Sequence, residues 1–291
     1  MLPWLDTILQ GVLLGGLYAL YATGLSLIFG IMRLVNLAHG DLIVAATFLI
    51  LALSAWLGID TIAAFAIAVP AMFILGYALQ VALLNRTLRG DLLAPLLVTF
   101  GLSIVVQNGL LEAFSADSRR LPLHGWEGTS IPLGGGLAVG IMPLASFLAA
   151  VAVILILHHV FYATRLGRAF RATADDAEVA QLVGIDNRRV YAVAMGLAMA
   201  VAAVAALFLG ARAQFDPTIG PARLLYAFEA VIIGGLGSLW GTLAGGVVLG
   251  VAQTVGARLN PEWQILAGHV VFLAVLLMRP GGLFPKRGGQ E

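Results

Sequence analysis

Cysteine is absent from the 291-residue chain, and lysine occurs once, at Lys286. The first absence removes disulfides, thiolate metal sites and thiol redox chemistry from consideration. The second removes the phosphate-binding loop Gly-x-x-x-x-Gly-Lys-Ser/Thr, whose lysine must reach the terminal phosphates. The chain has no such route to ATP hydrolysis. Charge is scarce as well: 11% of residues are charged and 60% hydrophobic, with a mean hydropathy of +0.99. A soluble domain carries about a quarter charged residues. The expectation is an all-α polytopic membrane protein of about eight to ten crossings, with broken or re-entrant segments, forming one transmembrane domain over residues 1–291. The first basic residue is Arg33, so the N-terminus lacks the positive region of a cleaved signal and the first helix is expected to remain. His158 and His159 are adjacent and point apart on a helix, and His39, His124 and His269 have no companions at ligand spacing. No metal site is expected. No nucleophile, base and acid set stands out, and no enzyme is expected.

Apolar runs occupy roughly residues 5–31, 40–57, 61–84, 93–114, 141–163, 190–210, 224–237, 239–257 and 264–279. The first is long enough to tilt or break, and 224–237 is short for a crossing. Nine crossings with the first loop cytoplasmic place Arg33, Arg86, Arg89, Arg165, Arg168, Arg171, Arg188, Arg189, Arg279, Lys286 and Arg287 inside. Arg119, Arg120, Arg212, Arg223 and Arg258 fall outside. That asymmetry follows the positive-inside rule, with the N-terminus outside and the C-terminus inside.

Polar interruptions divide this background. Arg33, Asn36, His39 and Asp41 join the first two runs. The plainer reading is a cytoplasmic turn with Asp41 as N-cap of the next helix; the sharper one is a broken helix bordering a pathway. Residues 115–136, with Pro122, Pro132 and Gly134 to Gly136, form the main outer loop and suggest a tight turn or short hairpin. It either meets an extracellular partner or is an ordinary connection. Glycines at 234, 235, 237, 241, 245, 246 and 250 allow a sharp turn at 234–238 and close helix contacts beyond it. Glu229 is the acid within that run, and is either functional or interfacial and solvated. Gln107 and Asn108 read as interhelical hydrogen-bond partners, with substrate contact the alternative.

The densest charge lies between Thr164 and Val190, which holds nine of the 31 formal charges. This segment must sit in water. Thr173 followed by Asp176 suggests a helix start, the acids Asp175, Asp176 and Glu178 suit its positive end, and Gly184 its left-handed stop. Val179, Leu182 and Val183, with Ala180 beside them, form an apolar face about one turn long. Such a helix either lies passively on lipid or on its own protein, or it plugs into a groove on a soluble partner.

Three stretches together resemble the permease subunits of branched-chain amino acid ABC transporters, of LivH type. They are Gly24-Leu-Ser-Leu-Ile-Phe-Gly-Ile-Met-Arg-Leu-Val-Asn36-Leu-Ala-His39-Gly40-Asp41, the segment from Leu166 to Val190, and Ala227-Phe-Glu-Ala-Val-Ile-Ile-Gly-Gly-Leu-Gly-Ser238. Thr99-Phe-Gly-Leu-Ser-Ile-Val-Val-Gln-Asn108 is a weaker match. Leu37 stands where the family has an aromatic residue, Asp41 where it has Glu, Trp240 for a usual Pro, and Glu229 at a position normally small or apolar. The resemblance implies a multi-pass protein of the bacterial inner membrane that carries Leu, Ile or Val inward. Urea, amides or other amino acids are the nearest alternative, and a secondary transporter the more distant one. It also implies a second related permease chain, two ATP-binding subunits and a periplasmic or extracellular solute-binding protein. ATP and Mg would belong to the partner subunits, with no cofactor in this chain and no nucleic-acid partner. Arg171 to Gly184 would be the helix that couples to the ATPase, through Arg168, Arg171, Ala172, Asp175, Asp176, Val179, Ala180, Leu182, Val183 and Gly184. Asn36, His39, Gly40, Thr99, Gln107, Glu229, Gly234 and Gly235 would be the candidates for the substrate pathway.

Overall fold

The computed structural model describes residues 2–87, 93–123, 125–134 and 137–284; Arg89, His124, Gly135, Gly136, Lys286 and Arg287, named above, lie outside the described residues. Each apolar run is helical. In chain order they are α1 (Leu2–Met32), α2 (His39–Leu57) and α3 (Thr61–Leu79), which continues through a π turn (Gln80–Leu84) into the short α4 (Asn85–Thr87). Then come α5 (Leu93–Phe114), the paired strands β1 (Ser130–Gly134) and β2 (Leu137–Gly140), and α6 (Ile141–Ala163). The polar segment forms α7 (Arg165–Asp175) and α8 (Ala177–Leu182). The rest of the chain is α9 (Asn187–Arg212), α10 (Gly220–Gly234), α11 (Leu239–Leu259) and α12 (Trp263–Met278). Among the described residues seven helices are long and apolar enough to cross a membrane. The shorter α10 and α12 bring the apolar helices to the expected range. The protein is an all-α polytopic membrane protein with one small hairpin.

α1 does not break. It is one helix of 31 residues, about 46 Å long, and lies at the centre of the bundle with nearly everything after Gly11 covered. Lipid offers little drive for apolar helices to associate, so close approach through small residues does that work. Gly11 and Gly15 of α1 face Val251 and Val247 of α11, while Gly246 and Gly250 of α11 face the α1 backbone. A Cβ at any of the four would run into main chain. Gly241 and Gly245 instead meet the backbone of α10. The alanine-rich α9 packs on α3 through Gly76 and Gly196.

Residues 33–38 form the break. Arg33 takes a positive φ of 52°, and the chain turns back along α1 until His39 Nε2 meets the Tyr21 carbonyl at 2.9 Å. Tyr21 lies 11 residues before the end of α1 at Met32, so the His39 ring, at the start of α2, lies about 17 Å inside that end. α10 also begins at depth, because Gly220 packs on Gly40 and Asp41. The turn expected at 234–238 is present, with Gly235 and Gly237 at φ 104° and 75°. Leu283 and Phe284 donate their backbone N–H groups to Ile233 and Gly234 at 2.8 and 3.0 Å, covering carbonyls freed at the end of α10.

The helix ends sort the charges as expected. Arg33, Arg86, Arg165, Arg168, Arg171, Arg188, Arg189 and Arg279 lie toward one face, where Gly30 meets Gly237 and Asn85 bonds the Arg188 carbonyl. Arg119, Arg120, Arg212 and Arg258 lie toward the other, where Arg258 bonds Thr7 and Leu121 bonds Gly210; Arg223, expected with them, instead sits one turn into α10, at depth beside Tyr226. The long loop is folded down on its own helices there. Arg119 pairs with Phe215 as an isolated bridge, Thr61 donates to the Pro122 carbonyl, and the hairpin pairs Ser130 with Gly140.

Candidate functional site

The polar segment departs from the single helix expected. Thr164 caps α7 by accepting from Gly167 N at 3.1 Å, and Asp176 caps α8 by accepting from Glu178 N and Val179 N at 2.9 and 3.0 Å. Thr173 is not a cap; it is buried inside α7 and donates to Asn187 Oδ1 at 3.1 Å. Two capping side chains twelve residues apart outcompete a weaker one between them. Gly184 does stop α8, at φ 88°, with Ile185 N returning to the Ala180 carbonyl at 3.0 Å.

The apolar face divides in two. Ala180 is 2% exposed and turned inward, whereas Val179, Leu182 and Val183 are 53, 86 and 72% exposed. A two-turn helix has room for one side chain below and a patch above. Arg168, Asp175 and Asp176 are exposed and Ala172 half-buried. Arg171 turns back onto its own chain: its guanidinium donates to the Phe161 carbonyl and lies 5.3 Å from the Tyr162 ring centroid. Phe170 packs on Phe161 at 5.2 Å between centroids. Asn187 Nδ2, at the start of α9, donates to the Ala177 carbonyl at 2.6 Å. The patch thus stands on a short helix tied to the start of α9 and preceded by α7, which is tied to the end of α6.

The break gathers five of the eight pathway candidates. Asn36 is fully buried, with its Oδ1 accepting from Ala38 N at 3.0 Å. Thr99 of α5 accepts from Leu37 N at 3.2 Å and donates to the Pro95 carbonyl at 3.0 Å. His39 is buried; because its Nε2 faces a carbonyl, that nitrogen carries the proton. Gly40 has no space for a Cβ against Gly220 and Leu224. Asp41 is not an N-cap. That position falls to Ala38, which makes no side-chain cap, and Asp41 lies buried in the first turn of α2. Ser103 Oγ donates to Asp41 Oδ2 at 2.5 Å and Gln107 Nε2 to Oδ1 at 2.9 Å. Gln107 is therefore an interhelical partner, whereas Asn108 bonds back to Ile104 within α5. The plain cytoplasmic turn gives way to irregular backbone at depth, covered by protein as the membrane requires. Asp41 and Ser103 were missing from the candidates. A signal existed: Thr99, Ser103 and Gln107 recur every fourth residue on an otherwise apolar helix.

Glu229, Gly234 and Gly235 lie elsewhere. Glu229 is 1% exposed, which excludes the solvated alternative. α12 covers it, and its carboxylate pairs with His269 Nδ1. Gly234 packs on Gly241 across the turn, and Gly235 supplies the turn's positive φ. Among the described residues no group of acids and histidines could hold a metal ion.

A family model described as branched-chain amino acid transport system / permease component matches residues 7–278. The high-affinity branched-chain amino acid transport system permease protein BraD of Pseudomonas aeruginosa is 30% identical over 96% of this chain and 95% of its own length. LivH of Escherichia coli, a permease protein described in the same words, is 31% identical over 97% and 96%. LivM of that organism is 27% identical over 92% of this chain and 68% of its own length. With nearly the whole bundle, the break and the polar segment inside the matched range, the chain belongs to the family of branched-chain amino acid transport system permease components.

Proposed function

We propose that the chain is the membrane-spanning permease subunit of an ATP-driven importer in the bacterial inner membrane, working as one transmembrane domain and carrying Leu, Ile or Val into the cytoplasm. Two ATP-binding subunits hold the ATP and Mg. A second related permease chain completes the membrane part, and a periplasmic or extracellular solute-binding protein delivers substrate. The observation that supports this most directly is the exposed patch of Val179, Leu182 and Val183, held on a capped helix. Three neighbouring apolar side chains facing water are unfavourable unless a partner covers them. The joints beneath the patch give it a mechanical role. Motion imposed on α8 reaches α9 through Asn187, while Arg171 holds α7 against α6, so closure of an ATPase pair would tilt long helices between two packed arrangements. The break at 33–38 and the glycine turn at 234–238 are the points where those helices can change angle.

The test is uptake of labelled leucine by the complete transporter, in the presence and absence of vanadate. Leu182→Asp places a charge in the patch and is expected to abolish vanadate-sensitive uptake, with membrane insertion retained. Full uptake at equal expression would overturn the coupling role. Transport driven by an ion gradient without ATPase subunits would overturn the importer reading itself.

A further inference from the structure

A second polar cluster lies inside the bundle, apart from the break and from the α8 patch. Tyr18 and Tyr21 of α1 have ring centroids 6.3 Å apart, and Tyr226 of α10 stands 5.1 Å from Tyr18. The Tyr18 hydroxyl donates to Gln253 Oε1 of α11 at 2.5 Å. Arg223, one turn before Tyr226, holds its guanidinium 6.0 Å from that ring centroid. Arg212, the last residue of α9, lies with Arg223 within electrostatic reach of both α1 tyrosines. The tyrosines of α1 and Gln253 are buried; the two arginines are half-buried.

The unmatched atoms of this cluster share one chemical character. Arg212 Nη1, Arg223 Nε, the Tyr21 hydroxyl and Gln253 Nε2 are shielded from solvent and have no hydrogen-bond partner. Three of them can only donate, and the hydroxyl can donate as well. The acids of the neighbouring elements are turned to other partners: Asp41 to Ser103 and Gln107, Asp216 to Thr218, and Glu229 to His269 through Oε1, with Glu229 Oε2 itself unpaired. Among the described residues no carboxylate lies within ion-pair distance of either arginine. Two cations amid spare donors, at the edge of an apolar bundle, are costly until an acceptor-rich anion joins them. A carboxylate fits best, because its paired oxygens match a planar guanidinium and leave lone pairs for a hydroxyl and an amide.

We propose that Arg212, Arg223, Tyr21 and Gln253 form a receiving site for the carboxylate of the solute as it enters the membrane domain. The assignment rests on the importer reading and adds its chemistry: an α-carboxylate is the group that an amino acid has and urea or a neutral amide lacks. The aromatic faces of Tyr18 and Tyr226 lie beside the site and suit the apolar part of such a solute.

The experiment measures leucine uptake and ATP hydrolysis together, on the complete transporter in proteoliposomes with leucine-saturated binding protein. Arg212→Gln and Arg223→Gln are each expected to lower leucine carried per ATP hydrolysed by about tenfold or more. Arg212→Lys should recover part of the loss. Tyr21→Phe, which keeps the ring and removes one hydroxyl, should lower the ratio several-fold without disturbing assembly. An unchanged ratio in the glutamine variants and in Tyr21→Phe overturns the site, whether or not both rates fall together, since a purely structural role would move them in parallel. If the wild-type transporter takes up no leucine under ATP, the importer reading fails and takes the site with it; normal wild-type uptake together with an unchanged ratio in the variants overturns the site alone.

Discussion

Asp41 shows how a single side chain can join two helices at membrane depth. Its two oxygens receive Ser103 and Gln107, so α5 is tied to the start of α2 by a buried carboxylate. Asp41→Ala leaves both donors without an acceptor, a loss of about 1–3 kcal/mol. Asp41→Asn keeps an acceptor oxygen and should retain part of the stability. Melting temperatures of the purified complex in detergent measure both. Glu229 and His269 pose the complementary question, since a buried carboxylate is most costly when its partner alone is removed. His269→Leu alone should lower the melting temperature more than the double variant Glu229→Leu with His269→Leu. A double variant less stable than the single would show that the pair contributes net stability. Glu229 was recognisable from sequence as an acid in an apolar run. His269, 40 residues away on α12, was not, because helix periodicity reports neighbours only within a few turns.

At the scale of the element, the close crossing of α1 and α11 sets the centre of the bundle. Gly246 faces the carbonyl of Gly15 and the backbone at Ala19, and an added Cβ would lie 2.6 Å from that carbonyl oxygen. Gly246→Leu is therefore expected to force the helices apart and remove folded protein from the membrane fraction, measured by the monodisperse yield after extraction. The glycine spacing at 246 and 250 was visible in the chain, but its partner was not. The same holds for α7 and α8. Gly184 was legible as a stop because a left-handed residue is read locally, whereas the choice of Asp176 over Thr173 as cap depended on Asn187 claiming the Thr173 hydroxyl from the next helix. Asp176→Ala should loosen α8 and reduce uptake partially, less than Leu182→Asp.

At the scale of the molecule, the two charged faces make a topology that can be tested on a chain with no cysteine of its own. Ser118→Cys lies in the long loop and Leu182→Cys on the α8 patch, both exposed. A membrane-impermeant maleimide applied to intact spheroplasts is expected to label the first and not the second, and inverted vesicles should reverse the pattern. Adding the ATPase subunits should protect Leu182→Cys from the reagent. Labelling from the outside, or no protection, would contradict the orientation or the docking respectively.

Composition and periodicity by themselves determined the solvent of this protein, the place of nearly every helix and the segment that must lie in water. Burying apolar residues in lipid leaves long runs that need no partner to be recognised. The sequence motifs also carried the family. Only the tertiary structure decided that residues 33–38 fold back into the bundle, that Asp41 binds α5, that Glu229 meets His269, and that two arginines stand among unmatched donors beside α1. Each of these depends on a helix distant in the chain. Whether a buried polar group is satisfied, and by what, depends on packing across the bundle, which no local pattern of residues encodes.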